Sequence, residues 1–303
     1  VTERESRFLM KKLTLPARAK INLTLEVLSR RSDGYHEIRT VLQALELHDL
    51  ITIEPGPEIA VFSSHPGVPG GPANLAYKAA LALREKVEGE PGGARIFIEK
   101  RIPLAAGLAG GSADAAATLH GLNELWALGL EREELLQVAA RIGSDVPFCL
   151  DGITALATGR GEKLHPLPPL PPLYVVLANP GFGVATSWAY AEFDRGEKTP
   201  GEGSTGKISP SLALVEVLKK GRLSELGTLL YNDLAGVVSR RYPLIAELKD
   251  RLKSAGALGA EMSGSGPTVF GLFQEESRAR QAMEELRRLV PTVILTETAT
   301  TRV

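Results

Sequence analysis

Pro103-Leu104-Ala105-Ala106-Gly107-Leu108-Ala109-Gly110-Gly111-Ser112-Ala113-Asp114 sets glycines at 107, 110 and 111 between an alternating segment and an alanine-rich one. Upstream, Arg95–Lys100 alternates and predicts a strand over Ile96–Glu99; downstream, Ala113–Leu128 carries helical spacing. Glycine lets backbone amides approach an anion without side-chain obstruction, and the unpaired amides of a helix start aim partial positive charge at it. Ser112 can donate a hydroxyl hydrogen bond, either to the helix end or to a phosphate. A flexible turn capped by Ser112 is the plain alternative. Three features favour phosphate binding instead: the strand that precedes, Pro103 at the approach, and the small residues Ala113, Ala115, Ala116 and Ala117, which let the helix pack closely. Asp114 reads first as a complement to the helix dipole and second as a magnesium ligand.

Toward the N-terminus, Ile21–Leu28 alternates, with Ile21, Leu23, Leu25 and Val27 opposite Asn22, Thr24 and Glu26, and predicts a half-buried strand. After the turn-like Arg31-Ser32-Asp33-Gly34, further strands are expected at Ile38–Leu45, Leu50–Glu54 and Ile59–Ser63, then a helix over Asn74–Lys86. Glu131–Ile142 reads as another helix, acidic in its first turn. The pattern breaks around Gly159-Arg160-Gly161 and the prolines of 166–172, which sets a domain boundary there: residues 1–165 and 166–303. Beyond it, Tyr174–Ala178 is a short strand and Arg195–Ser209 a polar surface loop. Helices are expected at Ser211–Lys220, Leu223–Val238, Leu244–Ala255 and Ser277–Leu289, with strands at Ala260–Met262, Thr268–Leu272 and Val293–Thr296. This order predicts an α+β fold in two domains.

Lys and Arg number 35 against 36 Asp and Glu, so the 303-residue chain has no overall field to attract a nucleic-acid backbone or an anionic membrane. An anionic ligand must be held locally. The single cysteine, Cys149, sits in the apolar run Val146-Pro147-Phe148-Cys149-Leu150 and reads as a small buried hydrophobe, consistent with a reducing cytoplasm. The first ten residues carry Glu3, Arg4, Glu5 and Arg7 rather than an apolar signal core, with Met10 a candidate start, and no apolar run is long enough to span a bilayer. The five histidines show no metal-ligand spacing with the cysteine or with one another, so a structural zinc site is not expected. Gly201-Glu202-Gly203-Ser204-Thr205-Gly206-Lys207 approximates a Walker loop. Ile208 stands where a metal-binding hydroxyl belongs, however, and neither a strand nor a helix flanks it, so it reads as loop.

Three separated stretches resemble the GHMP kinases, a family that includes galactokinase, homoserine kinase and mevalonate kinase. They are Pro16–Leu23 with Arg31–His36; Pro103–Ala116 with Gly143-Ser144-Asp145-Val146-Pro147; and Met262-Ser263-Gly264-Ser265-Gly266-Pro267. The resemblance implies a two-domain kinase fold with the ATP site in the cleft between domains, magnesium arriving with ATP, and Lys20 and Asp145 as the catalytic pair. Asp145 would be the base for the acceptor hydroxyl. It further implies that Pro103–Ala113 cradles the phosphates, that Asn74, Lys100 and Leu104 lie near the adenosine, and that Gly264-Ser265-Gly266 helps close the site. The Asp33-Gly34-Tyr35-His36 stretch is similar to members acting on a small molecule with a cytidine diphosphate group, with Asn22, Tyr35, His36, Thr186 and Tyr190 around that substrate. A monomer or homodimer is expected. Homoserine- or mevalonate-type activity and a non-catalytic binding module are the competing readings. Ala109 departs from the glycine common at its position and fits only if the backbone there avoids positive φ; Arg18 and Ala19 vary the usual approach to the lysine.

Overall fold

In the computed structural model, which describes residues 12–86, 92–196 and 209–301, two long antiparallel strands form the axis of the protein. They are β1 (Leu13–Arg30) and β2 (His36–Gly56). β3 (Ala60–Ser63) and β4 (Gly93–Glu99) extend the sheet beyond β2 in the order β3-β4-β2-β1. β5 (Thr154–Gly159) pairs with β2, and β6 (Lys163–Pro166) pairs with β5. Among the described residues, four helices accompany this sheet: α1 (Leu75–Arg84), α2 (Gly110–Leu125), α3 (Arg132–Ile142) and the short α4 (Val146–Asp151). The alanines of α2 let it lie close. At Gly121 an added Cβ would stand 2.5 Å from Ile53 Cδ1 and 2.9 Å from Leu15 Cδ1, so any larger residue would displace these two side chains.

A second sheet, all antiparallel, runs β11-β7-β10-β9, from β7 (Tyr174–Asn179), β9 (Gly259–Met262), β10 (Val269–Phe273) and β11 (Thr292–Glu297). Its helices are α5 (Thr186–Arg195), α6 (Pro210–Lys219), α7 (Asp233–Arg241), α8 (Leu244–Ser254) and α9 (Glu276–Leu286). One buried cluster joins the sheets: Ile21 and Leu23 of β1 share it with Val175 and Leu177 of β7 and Phe270 of β10. The chain then returns, with Thr298 N–H donating to Leu173 O at 3.0 Å and Ala299 N–H to Ala44 O at 2.9 Å.

Several expectations are corrected. β1 is not half-buried, because its polar face is covered as well: Lys20, Asn22, Thr24 and Glu26 are all under a tenth exposed. Each is partnered, as burial of polar groups requires; Thr24 Oγ1 meets Ser211 Oγ at 2.8 Å and Glu26 Oε2 accepts from Ser209 Oγ at 2.6 Å. The two strands expected at 38–45 and 50–54 are one, since Asp49 in their polar gap is itself buried and accepts from the Ile102 N–H at 2.9 Å. Around Gly159 the chain forms a β5–β6 hairpin where the sequence pattern indicates only a break.

The single helix expected at 223–238 is a 3₁₀ turn (Leu223–Leu229), a two-residue strand β8 (Tyr231–Asn232) and α7. Gly227 lies so close to Leu258 that a Cβ would sit 1.7 Å from its carbonyl oxygen. Tyr231 and Asn232 pair in parallel with Thr24 and Leu25 of β1. Tertiary pairing overrides the helical spacing. The Walker-like segment 201–208 and most of the expected 195–209 loop lie outside the described residues, as do residues 1–9.

Candidate active site

The strand feeding the glycine-rich loop is β4, and α2 begins at Gly110, three residues earlier than its apolar pattern indicated. Ala109 is the residue before the helix and adopts φ 57°, in the left-handed region. The condition set for a methyl group there is therefore not met: the position takes the conformation that favours glycine, and alanine bears the strain. Ala105 shares it at φ 49°. Ser112 lies inside the first turn and does not cap the helix; the free amides of Gly110, Gly111 and Ser112 form the helix start. Gly111 is exposed, with nothing nearer than 3.8 Å to an added Cβ, so the cradle is open on its outer side.

Asp114 lies past the first turn and is not a dipole partner. It is 3% exposed and accepts from Lys100 Nζ at 2.9 Å, while Lys100 also pairs with Asp49. Asp114 Oδ1 is buried without a hydrogen-bond partner. Burial raises the Asp114 pKa to about 7 against the pull of Lys100, and the Asp49 charge pushes it the same way as burial. Asp49 accepts from the Ile102 N–H and Lys100 lies on the same segment, so this buried trio ties the strand end before the loop to the helix after it.

Lys20 comes from β1, where the register with β2 shifts between Arg18 and Lys20 and again between Asn22 and Thr24. Such bulges re-aim side chains, and here Lys20 and Asn22 point together. Lys20 Nζ donates to Asn22 Oδ1 at 2.8 Å and to Gly107 O at 3.2 Å. Two of its three donors are engaged, and Asp145 Oδ2 lies 3.7 Å away. Asp145 is held by the turn between α3 and α4, and its side chain is 37% exposed against 4% for Lys20. The pair thus sits at the mouth of the glycine loop with the carboxylate toward solvent.

From the second sheet, the turn after β9 closes on the same loop. Ser263 Oγ donates to Gly107 O at 2.9 Å, and a Cβ on Gly107 would be 2.2 Å from Ser263 O. Gly264 stands against Lys20 and Asn22, an added Cβ meeting them at 3.5 and 3.4 Å. Asn232 Nδ2 fixes this turn by donating to Met262 O at 2.7 Å and Gly264 O at 2.8 Å, while its Oδ1 accepts from Leu234 N–H. Asn232 carries no signal as a single polar residue; only the β8 pairing identifies its place.

A cavity of about 730 Å³ opens from these groups. Lys20, Asn22, Tyr35, His36, Ala105, Gly107, Ala109, Asp145, Thr186 and Tyr190 of the sequence-selected residues line it. At its far end the His36 ring stacks on Tyr190, centroids 4.8 Å apart, and His36 Nε2 lies 2.8 Å from Asp194 Oδ1. Burial pushes the Tyr190 hydroxyl up, with Asp145 adding to it, so it stays a neutral phenol. Tyr35 is 55% exposed and free to meet a ligand. Thr186 Oγ1 is 2.9 Å from Ser265 Oγ.

The remaining selected residues lie elsewhere. Asn74 caps α1, with Oδ1 accepting from Ala76 N–H at 2.8 Å, and Lys100 is enclosed in its ion trio. Pro103 and the exposed Leu104 flank the loop, with Leu104 Cδ1 beside Gly67, while Ala106, Leu108 and Ala113 are packed under it. Gly110, Gly111 and Ser112 form the helix start outside the cavity wall. Cys149 is partly buried, and desolvation pushes its thiol up, which fits an inert packing role. Among the described residues no group of three or more His, Cys, Asp or Glu is placed to hold a metal, and no helix is long and apolar enough to cross a membrane.

The GHMP kinases N terminal domain matches residues 74–152, which include the glycine loop and Asp145, and the GHMP kinases C terminal domain matches 214–292. The chain is 47% identical to 4-diphosphocytidyl-2-C-methyl-D-erythritol kinase of Pelotomaculum thermopropionicum, over 94% of this chain and 98% of that one. It is 48% identical to the protein of the same name from Gloeobacter violaceus, over 89% and 88%. A crystal structure of 4-(cytidine 5'-diphospho)-2C-methyl-D-erythritol kinase superposes with a TM-score of 0.78 at 36% identity, covering 95% of this chain and 99% of that one. Homoserine kinase from Cytophaga hutchinsonii, at 22% identity and a TM-score of 0.73, shares the fold. With glycine loop, lysine–aspartate pair and closing turn assembled in one cleft, and with relatives this close along nearly the whole chain, the protein belongs to the GHMP kinases.

Proposed function

We propose that this kinase transfers the γ-phosphoryl group of ATP to the 2-hydroxyl of 4-diphosphocytidyl-2-C-methyl-D-erythritol, giving the 2-phosphate and ADP. The observation that carries the reading is the Lys20–Asp145 pair, 3.7 Å apart, set between the glycine loop and the Tyr35–His36–Tyr190 end of one cavity. Asp145 accepts the proton of the attacking hydroxyl and Lys20 steadies the charge developing on the transferred group. The amides of Gly110, Gly111 and Ser112 face the phosphates of ATP, and Asn74, Lys100 and Leu104 flank the adenosine side, Lys100 from within its ion trio. Magnesium comes with the triphosphate, consistent with a metal usually held by one or two carboxylates plus substrate phosphates.

At the acceptor end, Tyr35 offers a ring for the pyrimidine and His36 a hydrogen-bonding edge, with Asn22, Thr186 and Tyr190 completing the wall. The domains divide at 165/166, the chain works as a monomer or homodimer, and its place is the cytoplasm. A coupled ADP-release assay with this cytidyl acceptor, homoserine and mevalonate tests the assignment. Turnover with the cytidyl acceptor alone is expected. Turnover with homoserine or mevalonate instead would replace it with another GHMP activity.

A further inference from the structure

Beneath the glycine loop lies a buried charge cluster in which Asp49 and Asp114 take no part in the transfer itself. The Lys100 ammonium sits under the first residue of α2: a Cβ on Gly110 would be 3.2 Å from its Nζ, the nearest polar atom. Asp49 of β2 and Asp114 of α2 both hold that ammonium, Asp114 at 2.9 Å, and all three side chains are at most 4% exposed. Asp49 is fully engaged, since it also accepts from the Arg101 and Ile102 N–H groups. Asp114 is not. Its Oδ2 takes Lys100, while its Oδ1 is buried with no hydrogen-bond partner.

Two carboxylates against one ammonium leave an excess negative charge when both are ionised, in a place where water screens it poorly. Asp114 is the group that yields, because burial and the Asp49 charge raise its pKa to about 7 against the pull of Lys100. The cluster is therefore neutral below about pH 7 and negative above it. The elements packed on α2 leave this balance alone. α1 and α3 bring apolar residues to the shared core, Ala79 and Val138 among them. α4 brings the Cys149 thiol, which burial keeps neutral, and β1 brings Lys20, held by Asn22 and Gly107 O and facing Asp145.

We infer that Asp114 is a positioning residue for the nucleotide: through Lys100 it sets the charge beneath the amides of Gly110, Gly111 and Ser112, and so the affinity for the phosphates of ATP. The inference deepens the proposed phosphate cradle and rests on it. With Asp114 neutral, Lys100 and Asp49 form a balanced pair whose ammonium lies nearest the cradle, and its field adds to that of the helix start. An ionised Asp114 cancels that field and opposes an incoming polyphosphate. Asparagine keeps the shape and one acceptor for Lys100, and it fixes the neutral state at every pH.

Calorimetry on full-length wild type, Asp114→Asn and Asp49→Asn, with ADP and magnesium or with adenosine, tests this from about pH 6 to about 8.5, either side of the Asp114 pKa. The ratio of wild-type to variant affinity removes the titration of ADP itself. Wild type and Asp114→Asn are expected to bind ADP alike at the acid end and to part as the pH rises through about 7, wild type becoming about 5-fold or more the weaker. Adenosine, which carries no charge, should show no divergence, whereas a merely structural role would weaken both ligands at every pH. In Asp49→Asn the fall in ADP affinity should move to lower pH, since the Asp49 charge no longer raises the Asp114 pKa. Parallel ADP profiles in wild type and Asp114→Asn, or an equal divergence with adenosine, would overturn the inference alone. If Asp114→Asn does not fold, a fall that Asp49→Asn leaves in place would do the same. A wild type that binds ADP no better than adenosine at the acid end would overturn the phosphate cradle and the inference with it.

Discussion

Asp145, Asp114 and Ala109 answer to different single-residue physics. A positioned general base contributes about 10²–10⁴-fold, so Asp145→Asn should lose that much kcat while nucleotide binding, measured by fluorescence or calorimetry, persists. Asp114 binds its proton more tightly folded, with a pKa near 7, than the ordinary 3.8 of the unfolded chain. The stability it contributes is present below pH 3.8 and is lost as the pH rises through about 7, because the native state holds the extra proton in that interval. Asp114→Asn, neutral throughout, should flatten the denaturation midpoint between about pH 4 and 7; an unchanged slope would contradict the raised pKa. Ala109 at φ 57° carries strain of about 1–2 kcal/mol that glycine would relieve. Ala109→Gly should therefore raise the thermal midpoint despite the added freedom of the unfolded chain.

At the scale of elements, the site depends on junctions that periodicity does not encode. The strand, glycine loop and helix of residues 93–125 are legible because composition and alternation agree there, but the bounds differ: the strand starts at Gly93 rather than Ile96, and the helix runs Gly110–Leu125, three residues earlier at each end than Ala113–Leu128. The Asp49–Lys100–Asp114 trio was not legible, since nothing local says that residues 51 positions apart share one buried charge site. Tyr231-Asn232 was hidden in helical spacing because its two-residue strand is decided by pairing with β1. That strand places Asn232 to hold the turn that closes on Gly107. Asn232→Ala would orphan the buried carbonyls of Met262 and Gly264 and remove the cap of α7. A stability loss of about 2 kcal/mol or more is expected in denaturant titration, with kcat reduced because Gly264 stands against Lys20. A variant with native stability would remove Asn232 from the closing device.

For the molecule as a whole, two sheets sharing the cluster around Ile21 and Phe270 bring residues more than 150 positions apart to one cavity, such as His36 and Asp194. Family membership was within reach of the sequence, because three motifs in order carry it, and two of the same motifs hold Lys20 and Asp145, which the fold brings to 3.7 Å. The mutual arrangement of the acceptor residues was not, since it arises only when β1–β2, the β5–β6 turn and α5 meet. Transfer of a phosphoryl group from ATP to a cytidyl-bearing alcohol by Lys20 and Asp145 in this cavity is tested by product analysis. Wild type and Asp145→Asn are incubated with ATP, magnesium and 4-diphosphocytidyl-2-C-methyl-D-erythritol, and the phosphorylated acceptor is followed by phosphorus NMR. One new phosphomonoester resonance is expected, formed stoichiometrically with ADP by the wild type and slowed at least about 100-fold in the variant. No phosphomonoester with the wild type, or undiminished turnover in Asp145→Asn, would contradict it.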